Sequence, residues 1–247
     1  MIGKVYLVGA GPGDPALLTV KAAHLIQTAD AILFDRLVDA RVLALAPPQA
    51  VLEYVGKLPG SDPPTRQTAI HSRLIAYAQL GWTVVRLKGG DPYVFGRGGE
   101  EALALNQAGI PWSVVPGLSA ALAGPALANI PVTHRGVAES VTVLTAHREG
   151  NEGPDWPLWA TVPGTLVILM GMGRLSDIAG GLMAAGKAAH TPVAVIQWAS
   201  APQQQVLRTV LGELAAACCQ NHLGAPAVLV IGPTVTLLPE DGASGFS

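Results

Sequence analysis

Val84-Val-Arg-Leu-Lys-Gly-Gly-Asp-Pro-Tyr-Val-Phe-Gly-Arg-Gly-Gly-Glu-Glu101 joins two kinds of local chemistry. Val84, Val85 and Leu87 read as the end of a buried strand. Gly89, Gly90, Asp91 and Pro92 then break it, and a helix can restart only near Glu100. Paired glycines allow a close approach that any Cβ would block. Pro92 stiffens the turn, and Asp91 sets a carboxylate at the carboxyl end of a strand, where open α/β sheets bind ligands. Lys88 to Glu101 carries five glycines, two basic and three acidic residues. Ordering such a loop is costly for a mere connector, so the stretch reads as the floor of a binding site.

Upstream, Val5-Tyr-Leu-Val8 is a short buried strand running into Gly9-Ala-Gly-Pro-Gly-Asp14. Leu17, Leu18, Ala22, Leu25 and Ile26 then fall on one face of a helix. Strand, glycine loop and helix invite a dinucleotide-binding reading, but the fingerprint needs glycine where the chain has Asp14, and Pro12 enters the loop. That reading, a nucleotide-binding oxidoreductase or carrier, stays a minor alternative. Ala31-Ile-Leu-Phe34 is a second strand that leaves through Asp35-Arg-Leu-Val38, and a third leaves through Tyr54-Val-Gly-Lys57. Asp35 and Lys57 thus stand just past strand ends on the same sheet edge. Residues 58–66, rich in Pro, Gly and Ser, read as a flexible loop. Gln67 to Gly81 and Ala102 to Ala108 read as helices, the latter closed by Gly109, and Trp112-Ser-Val-Val115 is a fifth strand. Five strands alternating with helices make one α/β domain over residues 1–116.

Pro116-Gly-Leu-Ser-Ala120 reads as a hinge into a second α/β domain, residues 117–240, followed by a polar tail, 241–247. Its expected strands are Val141–Thr145, Thr165–Met170, Pro192–Gln197, Gln205–Arg208 and Ala227–Ile231, with helices at Leu175–Ala185 and Leu211–Ala217. Arg148 to Pro163, dense in Gly and Pro, reads as a loop able to act as a lid.

Half of the 247 residues are hydrophobic, enough for a sizeable core, and the formal net charge of −2 gives no basic field for nucleic acid. Adjacent Cys218 and Cys219 cannot staple distant elements, and with His222 they make a poor metal set, so no metal is expected. No stretch is long enough to span a membrane, and no leader pattern opens the chain, so a cytoplasmic protein is expected.

Val5–Asp14 with Leu17-Leu-Thr-Val-Lys21, Asp35-Arg-Leu-Val38, Val55-Gly-Lys57, Val84–Glu101, Val115-Pro-Gly117 and Ile130-Pro-Val-Thr-His-Arg135 together resemble the tetrapyrrole methylase family. The resemblance runs in order from residue 2 to about residue 235, and its central block is similar to the branch acting on uroporphyrinogen III. It implies two α/β domains with a cofactor cleft between them, a homodimer, and S-adenosylmethionine as methyl donor. It further implies methylation of two ring carbons to give precorrin-2 and S-adenosylhomocysteine, for sirohaem or cobalamin. Methylation of a later corrin precursor is the alternative within the family. With no room for a fused dehydrogenase–chelatase domain, the chain is expected to stop at precorrin-2.

Carried over residue by residue, the resemblance implies cofactor contacts at Pro12, Gly89, Gly90, Asp91, Val94, Ser119, Ala120, Met170, Ala199 and Ala227. Asp35 and Lys57 match the family's proton acceptor and donor. Arg36, Arg66, Arg97, His134 and Arg135 form a basic set suited to the carboxylates of a polyanionic tetrapyrrole. The pattern departs at Thr145-Ala-His147 (usually Thr-Gly-His), at Ala199-Ser200 (usually Gly-Thr), at His71 (usually Asn) and by one extra residue between Lys57 and Gln67. These departures put the pocket's shape in doubt and leave the catalytic pair intact.

Overall fold

Alternating runs of β-branched residues and helix-spaced apolar residues give the computed structural model ten strands and eight α-helices among its described residues. It describes residues 1–56, 63–147 and 154–239, with only the backbone of 63–66. Contacts divide the chain into two units, Met1–Ser119 and Ala120–Ser247.

The first unit holds β1 (Lys4–Gly9), β2 (Ala31–Phe34), β3 (Val51–Tyr54), β4 (Thr83–Lys88) and β5 (Trp112–Val115) in one sheet of order β3-β2-β4-β1-β5. Every pairing is parallel, as strand–helix alternation demands. α1 (Val20–Thr28) and α2 (Ala40–Leu43) cover one face, packing Ala22, Ile26 and Val42 on Val8, Ile32, Val85 and Leu87. α3 (Pro63–Gln79) and α4 (Gly98–Gln107) cover the other, where Leu74, Ala78 and Leu105 meet Val5, Leu7, Leu33 and Val84.

Two sequence expectations shift here. α1 begins at Val20 because Thr19 caps it, accepting from the Ala22 N–H at 3.1 Å; Leu17 closes a separate 3-10 turn. α3 starts at Pro63, inside the segment expected to be a loop. Prolines fit a first helical turn, where the missing N–H has no partner to lose. Residues 57–62 of that expected loop lie outside the described residues.

The second unit holds α5 (Ala120–Leu127), β6 (Val141–Thr145), α6 (Trp156–Thr161), β7 (Thr165–Leu169), α7 (Leu175–Ala184), β8 (Pro192–Gln197), β9 (Gln205–Val210), α8 (Leu214–Gln220) and β10 (Ala227–Ile231). Its sheet runs β6-β7-β10-β8-β9, parallel only between β6 and β7. α7 and α8 bury Ile178, Leu182, Leu214 and Cys218 against Leu166, Ile168, Val195 and Leu229. On the opposite face, Ala121 of α5 joins Val167, Ala194, Ile196 and Val228 in a second core.

Residues 156–161 correct the expected lid. Asp155 caps α6 by accepting from the Leu158 N–H at 3.3 Å, and Trp156 and Trp159 pack into the core under α7. Partly buried tryptophans packed against the core anchor this part of the segment, and residues 148–153 lie outside the described residues. α8 also begins later than expected, because Leu211–Glu213 forms a 3-10 turn. No helix among the described residues is long and apolar enough to cross a membrane.

Candidate functional site

Five parallel strands send their outgoing loops to one sheet edge, and the adjacent β1 and β4 bring two glycine loops together there. Gly11 and Gly90 exchange backbone hydrogen bonds, Gly90 N–H to Gly11 O at 2.8 Å and Gly11 N–H to Gly90 O at 3.1 Å. A Cβ on Gly9 would stand 2.6 Å from both Gly117 Cα and Gly90 O, and one on Gly89 would stand 2.7 Å from Leu37 Cβ. At these positions the close approach expected toward a ligand is an approach of protein to protein. The glycines lock the loops after β1, β2, β4 and β5 into one platform.

Asp91 is the clasp of that platform. Its Oδ1 accepts from the Tyr93 N–H at 2.8 Å and its Oδ2 from the Gly117 N–H at 3.1 Å. Beyond it, Tyr93, Val94 and Phe95 are exposed, while Phe95 and Arg97 hold left-handed φ of 53° and 58°. Side-chain-bearing residues in that region cost on the order of 1–3 kcal/mol, and such strain gathers at ligand sites. Arg97 grips Glu100 with two bonds of 2.8 and 2.6 Å, and this fork holds the Glu100 carboxyl below its usual range.

Asp35 leaves β2 on the same edge. Its Oδ1 accepts from the Leu37 N–H at 3.1 Å and its Oδ2 from Arg86 Nη2 at 3.4 Å, with 27% of its side chain open. The helix cap that follows belongs to Asp39, so Asp35 is not spent on capping. The carboxylate is thus held by two donors yet stays partly open. Lys57 lies outside the described residues, as does the Arg66 side chain. Arg36 is exposed beside Asp35.

Reading only the apolar members of β4 misses what its polar members do. Alternation puts Arg86 and Lys88 on the α3–α4 face with Val84, where they are 4% exposed. Both donate to Oε1 of Glu101 in α4, Arg86 Nε at 3.0 Å and Lys88 Nζ at 2.8 Å, and Gln67 Nε2 adds a third bond at 3.4 Å. Glu101 is 1% exposed, and its Oε2 has no partner among the described residues. Burial pushes the Lys88 ammonium below its ordinary pKa, and burial likewise lowers that of nearby His71. The signal was present: two cations two residues apart on a strand buried on both faces require an internal carboxylate.

In the second unit, β10 runs antiparallel to β7 and β8, so its first residues lie beside their last ones. Val228 pairs with Leu169 and Ala227 with Gln197. Met170, Ala199 and Ala227 therefore gather at one edge of that sheet. Met170 is 49% exposed with φ of 57°, and Trp198 turns the chain at φ of 51° before Ala199. The α5 helix, headed by Ala120, passes close enough that a Cβ on its Gly124 would lie 3.6 Å from Ala199 Cβ. His134 and Arg135 are exposed on a tight turn closed by the His134–Ala138 bridge. Pro12 and Ser119 are half-buried in the loops after β1 and β5.

Residues 4–215 match the family model Tetrapyrrole (Corrin/Porphyrin) Methylases. The chain belongs to the tetrapyrrole methylase family. This tetrapyrrole methylase is 44% identical over 236 residues to the uroporphyrinogen-III C-methyltransferase of Bacillus subtilis, covering 95% of this chain and 91% of the relative. It is 47% identical over 238 residues to the S-adenosyl-L-methionine-dependent uroporphyrinogen III methyltransferase of Methanosarcina barkeri, covering 95% and 93% of the two chains. Among solved structures, it superposes with a TM-score of 0.82 and 44% identity on the uroporphyrin-III C-methyl transferase of Thermus thermophilus complexed with S-adenyl homocysteine, over 95% and 94% of the chains. The two-sheet α/β architecture of this tetrapyrrole methylase is that of its solved relative.

Proposed function

We propose that this protein methylates uroporphyrinogen III at two ring carbons, by way of precorrin-1 to precorrin-2, using S-adenosylmethionine. The observation that carries the reading is 44% to 47% identity, over 95% of the chain, to a bacterial and an archaeal enzyme of that name. The bound S-adenosylmethionine supplies a methyl group on a positively charged sulfur that leaves as a neutral thioether. The protein's task is then to hold a ring carbon in line and to take up the proton that the ring releases. Positioning of this kind supplies about 7–11 kcal/mol in well-oriented reactions.

Asp35 is proposed as the proton acceptor and Lys57 as the donor. The cofactor contacts are proposed at Pro12, Gly89, Gly90, Asp91, Val94 and Ser119 of the first unit, and at Ala120, Met170, Ala199 and Ala227 of the second. Arg36, Arg66, Arg97, His134 and Arg135 are proposed to meet substrate carboxylates, with Arg97 giving up part of its grip on Glu100 to do so. The assembly is proposed as a two-fold homodimer in the cytoplasm, feeding sirohaem or cobalamin synthesis, with domains at 1–116 and 117–240.

Purified protein given uroporphyrinogen III and S-adenosylmethionine should produce a singly and then a doubly methylated species by mass spectrometry. Failure on this substrate with methylation of a later corrin precursor would leave the family and remove the assigned substrate.

A further inference from the structure

Arg86 links the buried charge cluster to Asp35. Leu33 of β2 pairs with Arg86 of β4, so the residue two beyond Leu33 comes within reach of the arginine's outer nitrogens. The guanidinium is fixed on two sides before it meets Asp35. Nε donates to Glu101 Oε1 at 3.0 Å, and Nη1 donates to Leu87 O at 2.9 Å and to Leu33 O at 3.4 Å. Because the fork is rigid and planar, those bonds leave Nη2 a single direction, and it donates to Asp35 Oδ2 at 3.4 Å. The Leu37 N–H holds the other oxygen at 3.1 Å.

Stability alone does not account for the arrangement. A buried ionic cluster is often matched or bettered by apolar residues of similar volume. Here one oxygen of Glu101 takes donors from Arg86, Lys88 and Gln67, while the other, equally buried, is left without a partner among the described residues. A network tuned for folding would share its donors between the two oxygens. What the overloaded oxygen does secure is the orientation of the arginine.

We propose that Arg86, anchored by Glu101, is a positioning residue that aims the Asp35 carboxylate at the reacting ring. Arg86 is too buried to touch substrate and acts through Asp35. The proposal rests on Asp35 being the proton acceptor, and the experiment separates the two. Its specificity lies in the fork: a lysine in place of Arg86 offers one compact ammonium, which cannot hold Glu101, the two carbonyls and Asp35 together.

The test is a double-mutant cycle on turnover with Arg86→Gln and Asp35→Asn, together with S-adenosylhomocysteine affinity and melting temperature for each variant. Arg86→Gln should lower kcat on the order of ten- to a hundredfold, as expected for a misplaced catalytic group, with KM and S-adenosylhomocysteine Kd nearly unchanged. Arg86→Lys should not rescue it. In the Asp35→Asn background, Arg86→Gln should cost nothing further, because the group it aims is gone. Equal losses in both backgrounds, or wild-type kcat in Arg86→Gln, would overturn the proposal. Normal turnover in Asp35→Asn alone would remove the acid–base reading first. If Arg86→Gln fails to fold, Glu101→Gln takes its place in the same cycle, with the same vanishing effect expected.

Discussion

Neutralising Glu101 leaves two buried cations, Arg86 and Lys88, facing one carboxylate, Asp35. Arg86 retains the Leu87 and Leu33 carbonyls and Asp35, whereas the bond from Lys88 Nζ runs to Glu101 alone among the described residues. The cost therefore falls on the lysine. Removing one partner of a buried pair costs about 3–5 kcal/mol, and Glu101→Gln, which keeps the shape and one acceptor oxygen, belongs at about 3. With urea slopes of about 1–3 kcal/mol per molar, the midpoint for the first unit should drop by about 1 to 3 M. The sign of the pH dependence follows from Lys88. Its pKa is already lowered by burial, and loss of the Glu101 attraction lowers it further. Between its folded and unfolded values the unfolded chain binds the extra proton, so stability rises with pH across that window. In Glu101→Gln the window opens at lower pH, so the deficit should be largest near neutrality and shrink as pH climbs toward the lysine's ordinary value. Urea titrations followed by tryptophan fluorescence at several pH values would measure this. An unchanged midpoint at neutral pH, or a deficit independent of pH, would refute the reasoning.

Asp35→Asn and Lys57→Ala should each lower turnover on the order of a hundredfold or more, with S-adenosylhomocysteine affinity by calorimetry little changed. Gly181→Ala in α7 should destabilise by about 1–3 kcal/mol, although alanine favours helices, because the new Cβ would stand 2.7 Å from Trp156 Nε1; a raised melting temperature would show α6 yielding freely. Apparent affinity for the tetrapyrrole should fall as ionic strength rises, more than cofactor affinity does, since exposed arginine–carboxylate contacts are screened by salt. Light scattering at micromolar protein should report a dimer, and a monomer would contradict the proposed assembly.

The strands of both sheets were legible because short runs of β-branched and other apolar residues stand out from the polar and turn residues around them. Val5–Val8, Ala31–Phe34 and Val141–Thr145 are examples. The helices were less so where burial overrode local signals. α5 contains Gly124 and Pro125 and has no polar stripe, yet it forms because Ala121 and its neighbours are covered by the second sheet. α6 sits in a stretch whose prolines and glycines read as loop, and two tryptophans packed under α7 hold it.

The same division runs through the candidate site. Sequence alone determined that a glycine-rich block follows a buried strand, that Asp35 stands just past a strand end, and which family the motifs resemble. Each of those depends on neighbours along the chain. Tertiary structure decided that Gly9, Gly90 and Gly117 meet one another, and that Asp91 clasps Gly117. It also decided that Glu101 reaches back from α4 to Arg86 and Lys88, and that Arg86 reaches across to Asp35. Those contacts join different elements, and only strand register and the packing of α4 on the sheet bring them within hydrogen-bonding distance.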